Sequence, residues 1–222
     1  SNNRRIIFKD HQSLRWEDHH TTSHDCTLTW AIPSANSSVK LPNATGAIGH
    51  LAFDSQAAST TNVSTVQFQN IPDRFSDAEI YFRCGPATDA QQLLVTFNDT
   101  NGAEITTADA YEWYVNESGT ARTGTATSSM QISGNSVGTD AYEGVSGRLV
   151  LSGLRNSHAN GPLASIFGEF TMFNSSGAFK AGTFHGSLNP ANAQEVGGIR
   201  FNWSSGNFES RFFRAYGLRN TE

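Results

Sequence analysis

The densest group of side chains able to hold a metal or move a proton is Glu17-Asp18-His19-His20-Thr21-Thr22-Ser23-His24-Asp25. Imidazole from His19 or His20 with His24, and a carboxylate from Asp18 or Asp25, have the donor chemistry of a transition-metal site, which a threefold axis would multiply. Adjacent residues on an extended chain, however, point to opposite sides, so only one of His19 and His20 faces any given ligand. The expectation is a solvated or subunit-contacting loop, with no metal and no cofactor. Such a loop at an interface would make assembly pH-dependent.

Three other groups have chemistry in principle. Asp109, Glu112, Glu117, Asp140 and Glu143 surround a long polar stretch, and two carboxylates about 5 to 10 Å apart can hydrolyse a glycosidic bond. No spacing in the sequence singles out a pair. Serines abound, but no Gly-x-Ser-x-Gly elbow occurs between a strand and a helix, so a nucleophilic triad has no support. Tyr111, Trp113, Tyr114 and Tyr142 lie near the same polar stretch and could stack on sugar rings. Because Tyr111 and Trp113 share one face of a strand, core packing accounts for those two first.

These residues need a scaffold, and the composition indicates which one. Charged residues are 16% of the 222, Gly numbers 20, and there are 15 Phe and 4 Trp. A chain of this length buries roughly 70% of its unfolded surface without staples. Its profile is that of a β-sandwich rather than a helical enzyme. The net charge of -5, with 15 scattered Lys and Arg, leaves no basic stripe for a phosphate backbone, so no nucleic-acid partner is expected. No run of 18 apolar residues exists and Ser1-Asn2-Asn3-Arg4-Arg5 leads no apolar core; neither membrane insertion nor a cleaved export signal is expected. Cys26 and Cys84 both fall on apolar alternations and read as buried free thiols, a disulfide between them being the alternative. Asn-x-Ser/Thr sequons such as Asn98, Asn174 and Asn202 arise by chance in a chain this rich in Asn, Ser and Thr.

Residues 1–48 have a texture of their own, with most of the histidines and short apolar couples: Ile6 to Phe8, Leu14 with Trp16, Cys26 to Ile32, Val39 with Leu41. None can cover its own apolar face, so this segment reads as an extended arm of short strands that buries its anchors against something else. From residue 49 to 222 period-2 alternation is regular. Val66 with Phe68, Ile80 to Cys84, Leu93 to Phe97, Tyr111 to Val115, Leu149 to Leu151, Ile166 to Phe173 and Phe179 to Phe184 are predicted strands. Ser118 to Thr139 reads as a long loop or irregular edge anchored by Met130 and Ile132. Ile199 to Trp203 and Phe212 to Leu218, joined by Ser204-Ser205-Gly206-Asn207, read as a closing β-hairpin whose apolar face is Ile199, Phe201 and Trp203 with Phe212, Tyr216 and Leu218. No helix of convincing length is predicted. The expected fold is all-β, an antiparallel two-sheet sandwich of jelly-roll type preceded by an extended arm.

The stretch Ile199-Arg200-Phe201-Asn202-Trp203-Ser204-Ser205-Gly206-Asn207-Phe208, continued by Phe213-Arg214-Ala215-Tyr216-Gly217-Leu218, resembles the closing segment of a β-sandwich module in tailed-bacteriophage virion proteins. Arg211 and Phe212 depart from it, standing where that family often has Gly-Thr or Gly-Ser. Tyr142-Glu143-Gly144-Val145-Ser146-Gly147 resembles the module's approach to a central strand, and Ile71-Pro72-Asp73-Arg74-Phe75 its turn before the first long one. Leu14-Arg15-Trp16-Glu17-Asp18, Thr27-Leu28-Thr29-Trp30 and Leu41-Pro42-Asn43-Ala44-Thr45-Gly46 are similar to a unit of phage tail-fibre shafts.

The resemblance implies a non-enzymatic virion structural protein, of tail fibre, spike, appendage or capsid-decoration type. It would be assembled in the bacterial host cytoplasm, would partner other virion proteins and would be homo-oligomeric, with a trimer favoured. Its sandwich would face outward, where a host-surface glycan or protein could meet it. Anchoring to the particle or to neighbouring subunits falls to Ile6, Ile7, Phe8, Leu14 and Trp16, because apolar couples in a charged arm gain only by burial elsewhere. The alternatives from other classes are a carbohydrate-binding lectin-like module and a glycan-cleaving enzyme. An exposed aromatic row favours the first; a cleft with two close carboxylates favours the second.

Overall fold

The computed structural model describes residues 14–16, 26–28, 50–56, 62–69, 71–72, 75–156 and 163–218. The chain divides into two compact units, Ser1–Thr45 and Gly46–Glu222. In the first unit β1 (Leu14–Trp16) pairs antiparallel with β2 (Cys26–Leu28), placing Leu14 opposite Leu28 and Trp16 opposite Cys26. Ile6, Ile7, Phe8 and the histidine patch His19, His20 and His24 lie outside the described residues.

The second unit is all-β. Its strands are β3 (His50–Gln56), β4 (Thr65–Phe68), β5 (Asp77–Pro86), β6 (Leu93–Asp99), β7 (Tyr111–Glu117), β8 (Thr120–Thr127), β9 (Met130–Gln131), β10 (Gly144–Ser152), β11 (Ser165–Phe173), β12 (Phe179–Leu188), β13 (Val196–Trp203) and β14 (Phe208–Leu218). Among the described residues the one helical element is a single 3-10 turn, Pro190–Asn192. The strands form an eight-stranded sheet, ordered β3-β14-β5-β10-β11-β12-β7-β8, and a four-stranded sheet, ordered β4-β13-β6-β9. Every pairing is antiparallel. This is the two-sheet sandwich that the alternation predicts.

Alternation also explains which face is dry. On β5, Ala78, Ile80, Phe82 and Cys84 are buried while Tyr81 and Arg83 are exposed. The sheets meet through aromatic rings: Phe201 of the small sheet lies 4.8 Å from Phe213 and 6.1 Å from Phe82 of the large one, centroid to centroid. Each fully buried Phe contributes about 1.5–3 kcal/mol of transfer free energy, which is why this cluster sits where both sheets close. Cys84 is a buried free thiol, and burial pushes its pKa well up.

Three expectations require correction. The Ser204–Asn207 turn does not close a hairpin. β13 hydrogen-bonds to β4 and β6 in the small sheet, whereas β14 hydrogen-bonds to β3 and β5 in the large one. The turn is an arch between sheets, with Gly206 at φ 77° and its flanks tied to β5 and β6 by Ala87 N–H to Asn207 O (2.8 Å) and Ser204 N–H to Gln92 O (2.9 Å). A hairpin-like sequence cannot tell these cases apart, since both need a tight polar turn between apolar runs.

The apolar phase of β14 is also shifted. Phe208, Phe213, Ala215 and Gly217 are buried, while Phe212 is exposed and Tyr216 and Leu218 are half-buried. An irregularity between Phe208 and Ser210 adds a residue and flips every later side chain to the opposite face. Gly217 is required by the turn at Phe75, whose ring lies against its α-carbon where a side chain would have to go. Finally, of the stretch expected as a long loop or irregular edge, Thr120–Thr127 is an edge strand rather than a loop, with an irregularity opposite Tyr111 and Trp113 where Ala126 has φ 55°. It pairs with β7 along the sheet edge and is polar on both faces, so it carries no alternation to detect. Met130 and Ile132 are buried as expected.

Candidate functional site

Tyr111, the first residue of β7, is wholly buried. Its hydroxyl accepts from Phe97 N–H (2.8 Å) and donates to the Ile105 carbonyl (2.8 Å), and its ring meets Phe97 edge-on at 5.7 Å. Burial drives its pKa well above the usual tyrosine value. It closes the turn after β6 from inside and is out of reach of a solvent-borne sugar. Trp113 points to the same side, as their shared parity predicts. It is half-buried against the core, with its indole over Gly124 of β8.

Tyr114 has the opposite parity and faces outward. It is 37% exposed, with its ring 6.4 Å from that of His185 on β12. Tyr142, in the turn before β10, is 62% exposed and meets Phe173 edge-on at 5.9 Å. Phe173 in turn meets Phe179 at 5.6 Å. Tyr114 and Tyr142 are not brought together. Tyr114 lies in register with His185 and hence Phe167, Tyr142 contacts Phe173, and six residues of strand separate those two positions by about 20 Å.

The outer face of the large sheet holds the exposed aromatics Tyr81, Tyr114, Phe167, Phe173, Phe179 and Phe212, a concentration that the sequence reading did not identify. Phe167 and His185 had a signal: each sits in the polar phase of its strand, between Ser165 and Glu169 and between Thr183 and Ser187. Strand register makes Tyr114, His185, Phe167 and Val150 direct neighbours on β7, β12, β11 and β10. Hollows of about 490 and 230 Å³ adjoin along this row and share Phe167 and His185. Further across the face, Glu79 accepts from Arg148 and from the Tyr81 hydroxyl (2.8 Å). These bonds raise the pKa of both partners.

The five carboxylates do not gather at one point, although Asp140 and Glu143 share a turn and Glu143 with Asp89 flanks Gly138. Glu117 is buried and accepts from the Asn135 backbone N–H (2.9 Å) and side-chain amide, fixing the segment after β9. Glu143 accepts from Asp140 N–H (3.0 Å) within its own turn. Glu112 lies five residues from Glu117 on the same strand and on the opposite face, about 17 Å away. Asp109 is beside the Pro190–Asn192 turn, its carbonyl accepting from Asn192 (2.9 Å). Among the described residues no group of three or more His, Cys, Asp or Glu could hold a metal ion. None of their helices is long and apolar enough to cross a membrane. No family model, curated protein or solved structure matches this chain.

Proposed function

We propose that the chain is a non-enzymatic structural component of a tailed-bacteriophage virion, in which the segment before residue 48 attaches to the particle or to neighbouring subunits and the sandwich faces outward. The observation that carries the reading is where the resembling residues sit. The stretch from Ile199 to Leu218 supplies an interior strand to each sheet, the arch between them and the glycine against which Phe75 packs. Tyr142 to Gly147 leads into β10, at the centre of the large sheet. The similarity is thus to a packing solution rather than to a polar surface string.

The carboxylates support the non-enzymatic part, because Glu79, Glu104, Glu117 and Glu143 are all engaged in bonds that hold the scaffold. Attachment by the arm follows from its apolar couples, of which Leu14 and Trp16 lie on β1. The test is to assemble particles with Leu14→Ala and Trp16→Ala together and measure the copies of this protein per particle by quantitative mass spectrometry. A marked fall in occupancy, with the soluble chain folded, is expected. Normal occupancy overturns arm anchoring.

A further inference from the structure

The geometry points to an oligosaccharide-binding groove on the outer face of the large sheet, built on Tyr114, His185 and Phe167. It goes beyond attachment to a particle and stands on different residues. Three rings occupy directly paired positions on adjacent strands, so Tyr114 and Phe167 are separated by two strand spacings, roughly 10 Å. That separation suits a chain of at least two pyranose rings running across the strands, with the hydroxyl-poor faces of its sugars laid on the aromatic platforms. Tyr114 is 37% and Phe167 47% exposed, so each offers a ring face without local unfolding.

The polar lining selects the ligand class. Thr123, Thr125, Ser165 and Ser187 border the larger hollow, and Thr183 the smaller. Among the described residues these five hydroxyls, and the His185 imidazole, have no hydrogen-bond partner within the chain. A dry protein interface over this row would strand them at about 1–3 kcal/mol for each group left unpaired. A sugar chain carries hydroxyls at matching density and satisfies them as donors and acceptors. Charges of both signs border the groove, Glu112 and Glu169 with Arg148, which favours a neutral oligosaccharide over a polyanion. The groove is open and shallow, so ends of the sugar chain can project beyond it.

The experiment uses the full chain, labelled on a lysine, against an array of defined neutral and charged oligosaccharides. Titration of the best-bound neutral member follows. Binding is expected to weaken at least about tenfold in Tyr114→Ala and again in Phe167→Ala, since each removes a stacking platform. Tyr142→Ala, about 20 Å away along the sheet, leaves it unchanged. Unaltered thermal midpoints in the three variants separate lost binding from lost folding. No neutral oligosaccharide retained at millimolar concentration overturns the proposal, as does binding insensitive to both platform variants. Self-association through this face, abolished by Phe167→Ala and with no sugar bound, would assign it instead to a second copy. None of these outcomes bears on arm attachment, which is read from particle occupancy.

Discussion

Removal of the Tyr111 hydroxyl, Tyr111→Phe, tests how the turn after β6 is held. The substitution keeps the ring, its packing on Phe97 and its burial, and deletes only the oxygen that joins Phe97 N–H to the Ile105 carbonyl. Both groups belong to buried residues. Each orphaned group costs about 1–3 kcal/mol, so the pair should lose about 3 kcal/mol after partial relaxation. At about 2–4 °C per kcal/mol for a domain of this size, the midpoint should fall by about 6–12 °C.

Thermal and urea unfolding of the full chain, followed by circular dichroism, measures this loss. Tyr114→Phe serves as control, because its exposed hydroxyl makes no bond within the chain, and should stay within about 0.5 kcal/mol. The pH dependence has a definite sign. The folded state holds the Tyr111 proton above the ordinary tyrosine value of about 10. Its contribution to stability is therefore intact below pH 10 and is lost as pH rises beyond it, when the unfolded tyrosine ionises. Tyr111→Phe should flatten that alkaline decline. A loss under about 0.5 kcal/mol at neutral pH would refute the account of the turn.

Two further outcomes follow from the packing. Gly217→Ala should destabilise the sandwich by about 1–3 kcal/mol through collision with the Phe75 ring, and Phe75→Leu in the same chain should recover part of it, a favourable coupling readable in a double-mutant cycle of urea midpoints. Cys84, 2% exposed and with its thiol pKa raised by burial, should resist a thiol reagent at pH 8 in a Cys26→Ser chain and react fully in denaturant; fast native labelling would contradict its place in the core.

The fold was legible wherever one strand face is dry and the other wet. β5, β7, β11 and β13 announce themselves because Ile80, Val115, Phe170 and Phe201 alternate with residues that tolerate water. β8 did not, since Thr120–Thr127 buries no residue on either side and alternation carries no information there. The phase of β14 was lost to a single extra residue near Ser210, which no periodicity count resolves without knowing the partner strand. The polar turn before β14 shows how short the range of sequence evidence is: whether it bends within a sheet or between sheets depends on β3 to β6, far away in the chain. The aromatic site was half legible. Parity separates Tyr111 from Tyr114, but the meeting of Tyr114 with His185 and Phe167 depends on register between distant strands.

The arch between β13 and β14 has a consequence for how the molecule comes into being. β13 lies between β4 and β6, and β14 between β3 and β5, so neither sheet is continuous without them. β4 has no other partner than β13, and β3 none but β14, among the described residues. During synthesis, residues 50–188 can form the run from β5 through β10, β11 and β12 to β7 and β8, but the ring of Phe82, which packs on Phe201 and Phe213, stays wet until residues 196–218 arrive. Such long-range closure is slow, and it leaves an interval in which open strand edges are exposed to other chains. The sandwich is therefore completed by β13 and β14, and any stall or cleavage before residue 196 leaves a half-sandwich with its apolar face open.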